Sequence, residues 1–193
     1  MKVLGLIAAA IVAVGAAQAQ ASSLFDAQQL QIRTMVQAQA FAGLKWKVGD
    51  QADYSLDIGG FIKGTSHNFV REVGANDMWM EQDMDLGMMG KQKIEIDLDP
   101  NSGQIKKILA NGQEQQIPDA KDAEIVEMKE DHITVAAGAF DCVYAKIKSK
   151  KDGSIQEAWI NPQVVPMEGM LKALADSQFG KVTQELKTFS RAP

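Results

Sequence analysis

The residues of this 193-residue sequence whose types and spacing suggest chemistry gather in one short stretch. The run DMWMEQDMDLGMMGK, residues 77–91, holds Met78, Met80, Met84, Met88 and Met89, five of the ten methionines. Thioethers are soft ligands suited to Cu(I), so copper is the first chemistry to weigh. Against it, His67 and His132 lie far off in sequence, and acidic residues fill the positions between the sulfurs. Other chemistry is scarcer still. Cys142 sits mid-strand in FDCVYAKIK, a setting in which a thiol is usually buried and inert. No H-x-x-x-H or C-x-x-C spacing supports zinc, and no glycine-rich loop opens a helix that would cradle phosphate. The pairs Asp83/Asp85 and Glu95/Asp97 read as solvated strand faces. The expectation is a non-enzymatic protein with no cofactor and no metal.

The sulfur spacing has a simpler origin in a β-strand, whose side chains alternate between two faces. Met78, Met80, Gln82, Met84 and Leu86 share one face, and Trp79, Glu81, Asp83 and Asp85 share the other. A solvated Met face would forgo roughly 1.5–3 kcal/mol per side chain, so the methionines turn inward. They are then either ordinary core or a soft wall against an apolar ligand, because thioethers adapt to varied partners. The same alternation runs through QADYSLDI, with Ala52, Tyr54, Leu56 and Ile58 on one side, and through KIEIDL, with Ile94, Ile96 and Leu98. These are half-buried antiparallel strands.

The elements that position this face begin after a leader. Residues 1–21 carry one Lys, an apolar run from Val3 to Val14 and small residues at A-x-A spacing, the pattern of a cleavable secretory signal ending at Ala19 or Ala21. The run falls short of the roughly 20 residues of a membrane span, and no Cys follows it as a lipoprotein acylation site. A periplasmic or secreted protein without a membrane-spanning segment is expected. Without Lys2 the 20 basic residues become 19 against 25 acidic, a formal charge of −6, which disfavours nucleic acid and anionic lipid surfaces as partners. With a single Cys, no disulfide forms within the chain, and stability rests on burial.

Residues 22–193 form one expected domain. Its first segment carries Phe25, Leu30, Ile32, Met35, Val36, Ala40 and Phe41 among helix formers, between a Ser22 or Ser23 N-cap and a Gly43 C-cap, and reads as a helix. Beyond it, turn residues at Gly59-Gly60, Gly74 to Asp77, Pro100 to Gly103, Asn111-Gly112 and Asp152-Gly153 separate strand-like runs. Residues 113–122, with Pro118, read as a surface loop, and Pro166 precedes two final strands, 167–174 and 181–189. The fold class is mainly β (α+β): a single curled antiparallel sheet or half-barrel of about ten strands, covered by the N-terminal helix.

The most particular stretch spans residues 131–172. A β-branched strand runs into Ala136-Ala137-Gly138-Ala139-Phe140; a second strand, the Asp152-Gly153 turn, Trp159-Ile160-Asn161-Pro162 and Val165-Pro166 follow. This order, V-x-A-G-x-F, strand, D-G turn, W-x-x-P, V-P, resembles a group of uncharacterised exported proteins of Gram-negative bacteria, themselves similar in pattern to the lipoprotein carriers LolA and LolB. The likeness covers residues 45–189 as a pattern and residues 133–166 as a motif. It implies an incomplete antiparallel barrel whose helices close an apolar cavity, which holds acyl chains in the carriers. No position here matches the carriers' gating arginine. Gly138, Phe140, Trp159, Asn161 and Pro166 read first as structural.

The function expected from these readings is binding of an apolar ligand, a lipid or a lipoprotein's acyl chains, in the sheet concavity. Met35, Phe41, Met78, Met80, Met84 and Leu86 would line it. The alternative is a structural or interaction module of the cell envelope with a filled core, offering an edge strand or the Pro118 loop to a protein partner. Met-rich copper binding is the minor alternative.

Overall fold

A computed structural model describes residues 46–117, 123–150, 152–177 and 180–193. The leader, the expected N-terminal helix with Met35 and Phe41, and Pro118 lie outside the described residues. The described chain forms eleven strands: β1 (Gln51–Ile58), β2 (Ile62–Val73), β3 (Met78–Asp85), β4 (Lys91–Leu98), β5 (Ile105–Ala110), β6 (Gln113–Glu114), β7 (Ala123–Val135), β8 (Gly138–Ser149), β9 (Ile155–Ile160), β10 (Met170–Ser177) and β11 (Gly180–Ser190). One 3-10 turn, Gly87–Met89, separates β3 from β4.

All eleven belong to one antiparallel sheet in the order β6-β5-β4-β3-β2-β1-β11-β10-β9-β8-β7. The pairing of β1 with β11, from Gln51 opposite Ser190 to Ile58 opposite Val182, joins two meanders at the centre of the sheet. As a result the two edges, β6 and β7, are consecutive in sequence. A flat sheet of this size would hold its edges about 48 Å apart at about 4.8 Å per strand. The eight residues between Glu114 and Ala123 span at most roughly 30 Å, so the chain length alone requires the sheet to bend. The bend is also seen in contact: β7 returns to touch β10 and β11, three and four strands away in the order.

Strand alternation places the core on one face. In β1 Ala52, Tyr54, Leu56 and Ile58 are buried and the intervening residues are half-buried. Ile94, Ile96 and Leu98 of β4 and Ile108 of β5 continue the same apolar layer, each contributing roughly 1.5–3 kcal/mol on leaving water. Local turn chemistry sets the register. Asn111 and Gly112 close β5–β6 with φ of 51° and 79°, the left-handed pair that a two-residue type I′ turn demands.

The structure differs from the expected strand bounds in three places. The sheet has eleven strands rather than about ten, because Gln113 and Glu114, expected in a loop, pair with Ala110 and Leu109. The β7–β8 turn falls at Ala136-Ala137, so Gly138 and Phe140 open β8 instead of ending the preceding strand. The last pair begins at Met170, not Met167, because residues 165–169 turn inward and are buried.

Candidate functional site

Met78, Met80 and Met84 project from the core face of β3, Leu86 follows its last residue, and all four are buried. Register sets their neighbours: Met78 lies opposite Leu98 and Val73, Met80 opposite Ile96 and Val70, Met84 opposite Gln92 and Ser66. The remaining sulfurs of the run go elsewhere. Met88 is 99% exposed at the tip of the 3-10 turn, and Met89 packs at the core margin. The five sulfurs therefore do not converge, and among the described residues no group of three His, Cys, Asp or Glu side chains is placed to hold a metal ion.

Within this oily layer runs a polar row that strand alternation did not reveal. Ser66 and Asn68 of β2 and Gln82 of β3 occupy core positions and are buried. Gln82 Nε2 donates to Ser66 Oγ (3.0 Å), and Ser66 Oγ donates to Asn68 Oδ1 (2.7 Å). Asn68 in turn hydrogen-bonds the carboxylate of Glu168, which is fully buried and whose pKa is pushed up to about 7 by burial. Tyr54, buried beside it, has its pKa raised by burial and by the Glu168 charge, and its hydroxyl donates to the Met170 carbonyl (3.3 Å). Glu168 Oε2 and Gln82 Oε1 have no hydrogen-bond partner among the described residues. The only hint of this row in the sequence was the polar character of Ser66, Asn68 and Gln82 at core parity.

Glu168 is delivered by the segment 161–169, which the W-x-x-P motif builds. Asn161 N donates to the Gly169 carbonyl (2.7 Å), closing the segment into a loop, while Asn161 Oδ1 accepts from Gln163 N and Val164 N. Pro166 and Met167 are buried within it, and Met167 takes a left-handed φ of 58°. Gly169 has φ of 70°, and a Cβ there would stand 2.4 Å from Pro162 N, so only glycine fits. The guanidinium of Arg191 holds the loop: Nε donates to Val164 O, and one terminal nitrogen reaches the carbonyls of Pro162, Gln163 and Val165. Arg191 carried no motif in the sequence.

The other motif residues are structural neighbours of this loop. Asn161 Nδ2 donates to Asp141 O (2.8 Å). Phe140 faces Phe189 of β11 at 6.3 Å between ring centres, and Gly138 has φ of 138°. Trp159 Nε1 donates to Asp131 Oδ2 (2.9 Å), with its ring 5.1 Å from Tyr144. Cys142 is buried, and burial pushes its thiol pKa up, which disfavours the nucleophilic thiolate.

No family model matches this chain, and no curated protein matches it. Three solved structures are similar in shape. One is an exported protein with YmcC-like fold from Bacteroides fragilis (10% identity, TM-score 0.42), covering 77% of this chain and 99% of that one. A second is MucB (11% identity, TM-score 0.45), covering 87% of this chain; the match spans 59% of MucB's length. The third is CT021 from Chlamydia trachomatis (11% identity, TM-score 0.45), covering 76% of this chain and 89% of that one. At these values the likenesses carry no functional argument, and function has to be read from the geometry.

An open trough of about 820 Å³ crosses β11, β1, β2, β3 and β4 and reaches Asn111, with Asp53, His67, Asp83 and Lys93 among its lining residues. Asp53 bridges His67 Nδ1 (2.7 Å) and the Thr188 hydroxyl (2.9 Å) at its centre. Because Thr188 donates to the carboxylate and not to the imidazole, this trio lacks the nucleophile–base contact of an acyl-transfer triad. Beside the trough, Glu81, almost buried, is held between Lys93 (2.7 Å) and Arg71 (3.2 Å), and Arg71 also pairs with Glu95.

At one edge of the sheet the pattern of burial changes. β7 is thirteen residues long and, among the described residues, pairs on one side only, with β8. From Glu124 to Glu130 every residue is exposed, including Ile125 (49%), Val126 (55%) and Met128 (58%). Among the described residues no helix is long and apolar enough to cross a membrane.

Proposed function

We propose that this chain is a non-enzymatic module of the cell envelope that binds a protein partner through the free edge of its sheet. The supporting observation is β7, which among the described residues pairs along one side only and exposes Ile125, Val126 and Met128. An edge of this length is a template for strand addition, where main-chain hydrogen bonds supply affinity and alternate side chains supply specificity. The buried Met78, Met80 and Met84 act in this reading as core that stiffens the scaffold. Residues 1–21, with the composition of a secretory signal, route the chain to the periplasm. The test replaces Met128 with a photo-crosslinking residue in cells that export the protein. Defined covalent adducts at position 128, and none at Lys63 on the opposite meander, are expected. No adduct at position 128 would overturn the reading.

A second reading is binding of an apolar ligand, a lipid or a lipoprotein's acyl chains, against the core face. It is favoured by the polar row, since two buried oxygens without partners each cost roughly 1–3 kcal/mol that a ligand carrying a hydrogen-bond donor would recover. Extraction of the purified protein with organic solvent, followed by mass spectrometry, tests it. Near-stoichiometric lipid supports the carrier role, and a clean extract from folded protein removes it.

A further inference from the structure

The free edge carries enough detail to name its occupant. The ladder between β7 and β8 slips between Ile125, opposite Ile147, and Glu127, opposite Lys146, leaving Val126 as the extra residue of a bulge. Ile147 and Ala145 of β8 are both buried on the core face, and they oppose Ile125 and Met128. The bulge thus puts Ile125 and Met128 on one face, where they extend the apolar layer to the margin of the sheet and leave it uncovered. Between them on the other face, Glu127 and Lys129 stand side by side, 2.7 Å apart.

We propose that β7 pairs antiparallel with β7 of a second copy of this chain, centred on Met128, to make one continuous sheet across a two-fold axis. This rests on the reading of β7 as the interacting element. In that register Met128 meets its own copy and, between the axis and the bulges, Glu127 lies opposite Lys129 twice. Ile125 and Met128 of both copies share one face, so the exposed apolar strip becomes continuous. Slipping the register by two residues keeps the faces but sets Glu127 against Glu127, or Lys129 against Lys129, and like charges directly opposite are destabilising. A slip by one residue turns the apolar face of one copy to the polar face of the other. Of these registers the one centred on Met128 alone sets opposite charges against each other beside the axis. A two-fold pair closes on itself and consumes both free edges.

Sedimentation velocity of the purified protein over a wide concentration range tests this. A reversible dimer is expected. Lys129→Glu turns two attractive cross-strand pairs repulsive and is expected to raise the dimer Kd about tenfold or more. The double variant Glu127→Lys with Lys129→Glu restores opposite charges across the axis and is expected to return the Kd to within a few-fold of the original. Both positions are exposed, so circular dichroism serves to confirm that the variants fold. A wild-type protein that stays monomeric, a dimer unmoved by Lys129→Glu, or a double variant that fails to recover would each overturn self-pairing. Should the protein be monomeric while the position-128 crosslinker still joins a different protein, edge binding stands and only the identity of the occupant fails.

Discussion

Glu168 should make the stability of this protein fall as pH rises, and Glu168→Gln should abolish that fall. The carboxyl is fully buried, and its pKa stands at about 7 against an ordinary value of 4.5. Between these values the folded chain retains a proton that the unfolded chain releases, so raising the pH favours unfolding. The stabilisation is complete below the unfolded value and is lost as pH climbs through the folded one. At about 1.4 kcal/mol per pH unit, the interval from 4.5 to about 7 corresponds to about 3 kcal/mol. For a chain of this size that is roughly 6–12 °C in Tm. Gln keeps the shape and cannot titrate. Urea unfolding followed by the fluorescence of Trp46, Trp79 and Trp159, measured from pH 4.5 to 8, isolates the effect as the difference between the two proteins. Other groups, such as Asp97 with its raised pKa, cancel in that difference. A gap that opens toward alkaline pH in favour of the variant is expected. A gap that stays flat would show that Glu168 is solvated or paired, and the burial argument would fail.

Three further outcomes follow from the loop and the core. Arg191→Ala removes the hydrogen bonds to four loop carbonyls and should cost about 1–2 kcal/mol, with new proteolytic cleavage in segment 161–169; Arg191→Lys should recover part of this, because one ammonium cannot reproduce the fork. Gly169→Ala forces a Cβ to 2.4 Å from Pro162 N at φ of 70° and should cost more than about 2 kcal/mol in urea unfolding, or prevent folding. Met80→Ala should cost roughly 2–5 kcal/mol as a core truncation, whereas Met88→Ala, at a 99% exposed position, should stay within about 0.5 kcal/mol.

How much of this could be read in advance depends on how far apart the interacting residues lie. The inward face of β3 was legible because Met78, Met80, Met84 and Leu86 obey a two-residue period that needs no knowledge of the partner strand. The turns at Gly59-Gly60 and Asn111-Gly112 were legible because the backbone there takes positive φ, which favours those residue types. The Ala136-Ala137 turn was missed because alanine gives no turn signal. Glu168 looked like any acidic residue near a proline, since nothing within a few positions of it announces Asn68, a hundred residues upstream and its hydrogen-bond partner. Arg191 was silent for the same reason.

Sequence alone, through the side-chain alternation of each strand and the turn residues between strands, settled that the body of this protein is antiparallel β and that Met78, Met80 and Met84 turn inward. Only the tertiary structure decided that β1 joins β11, that β6 and β7 become the edges, and that a buried glutamate meets Asn68 and Tyr54. The physical reason is that alternation tells a strand which face to bury but says nothing of which neighbour to take. That choice is made by the packing of the whole sheet and the span of the connections that must close around it.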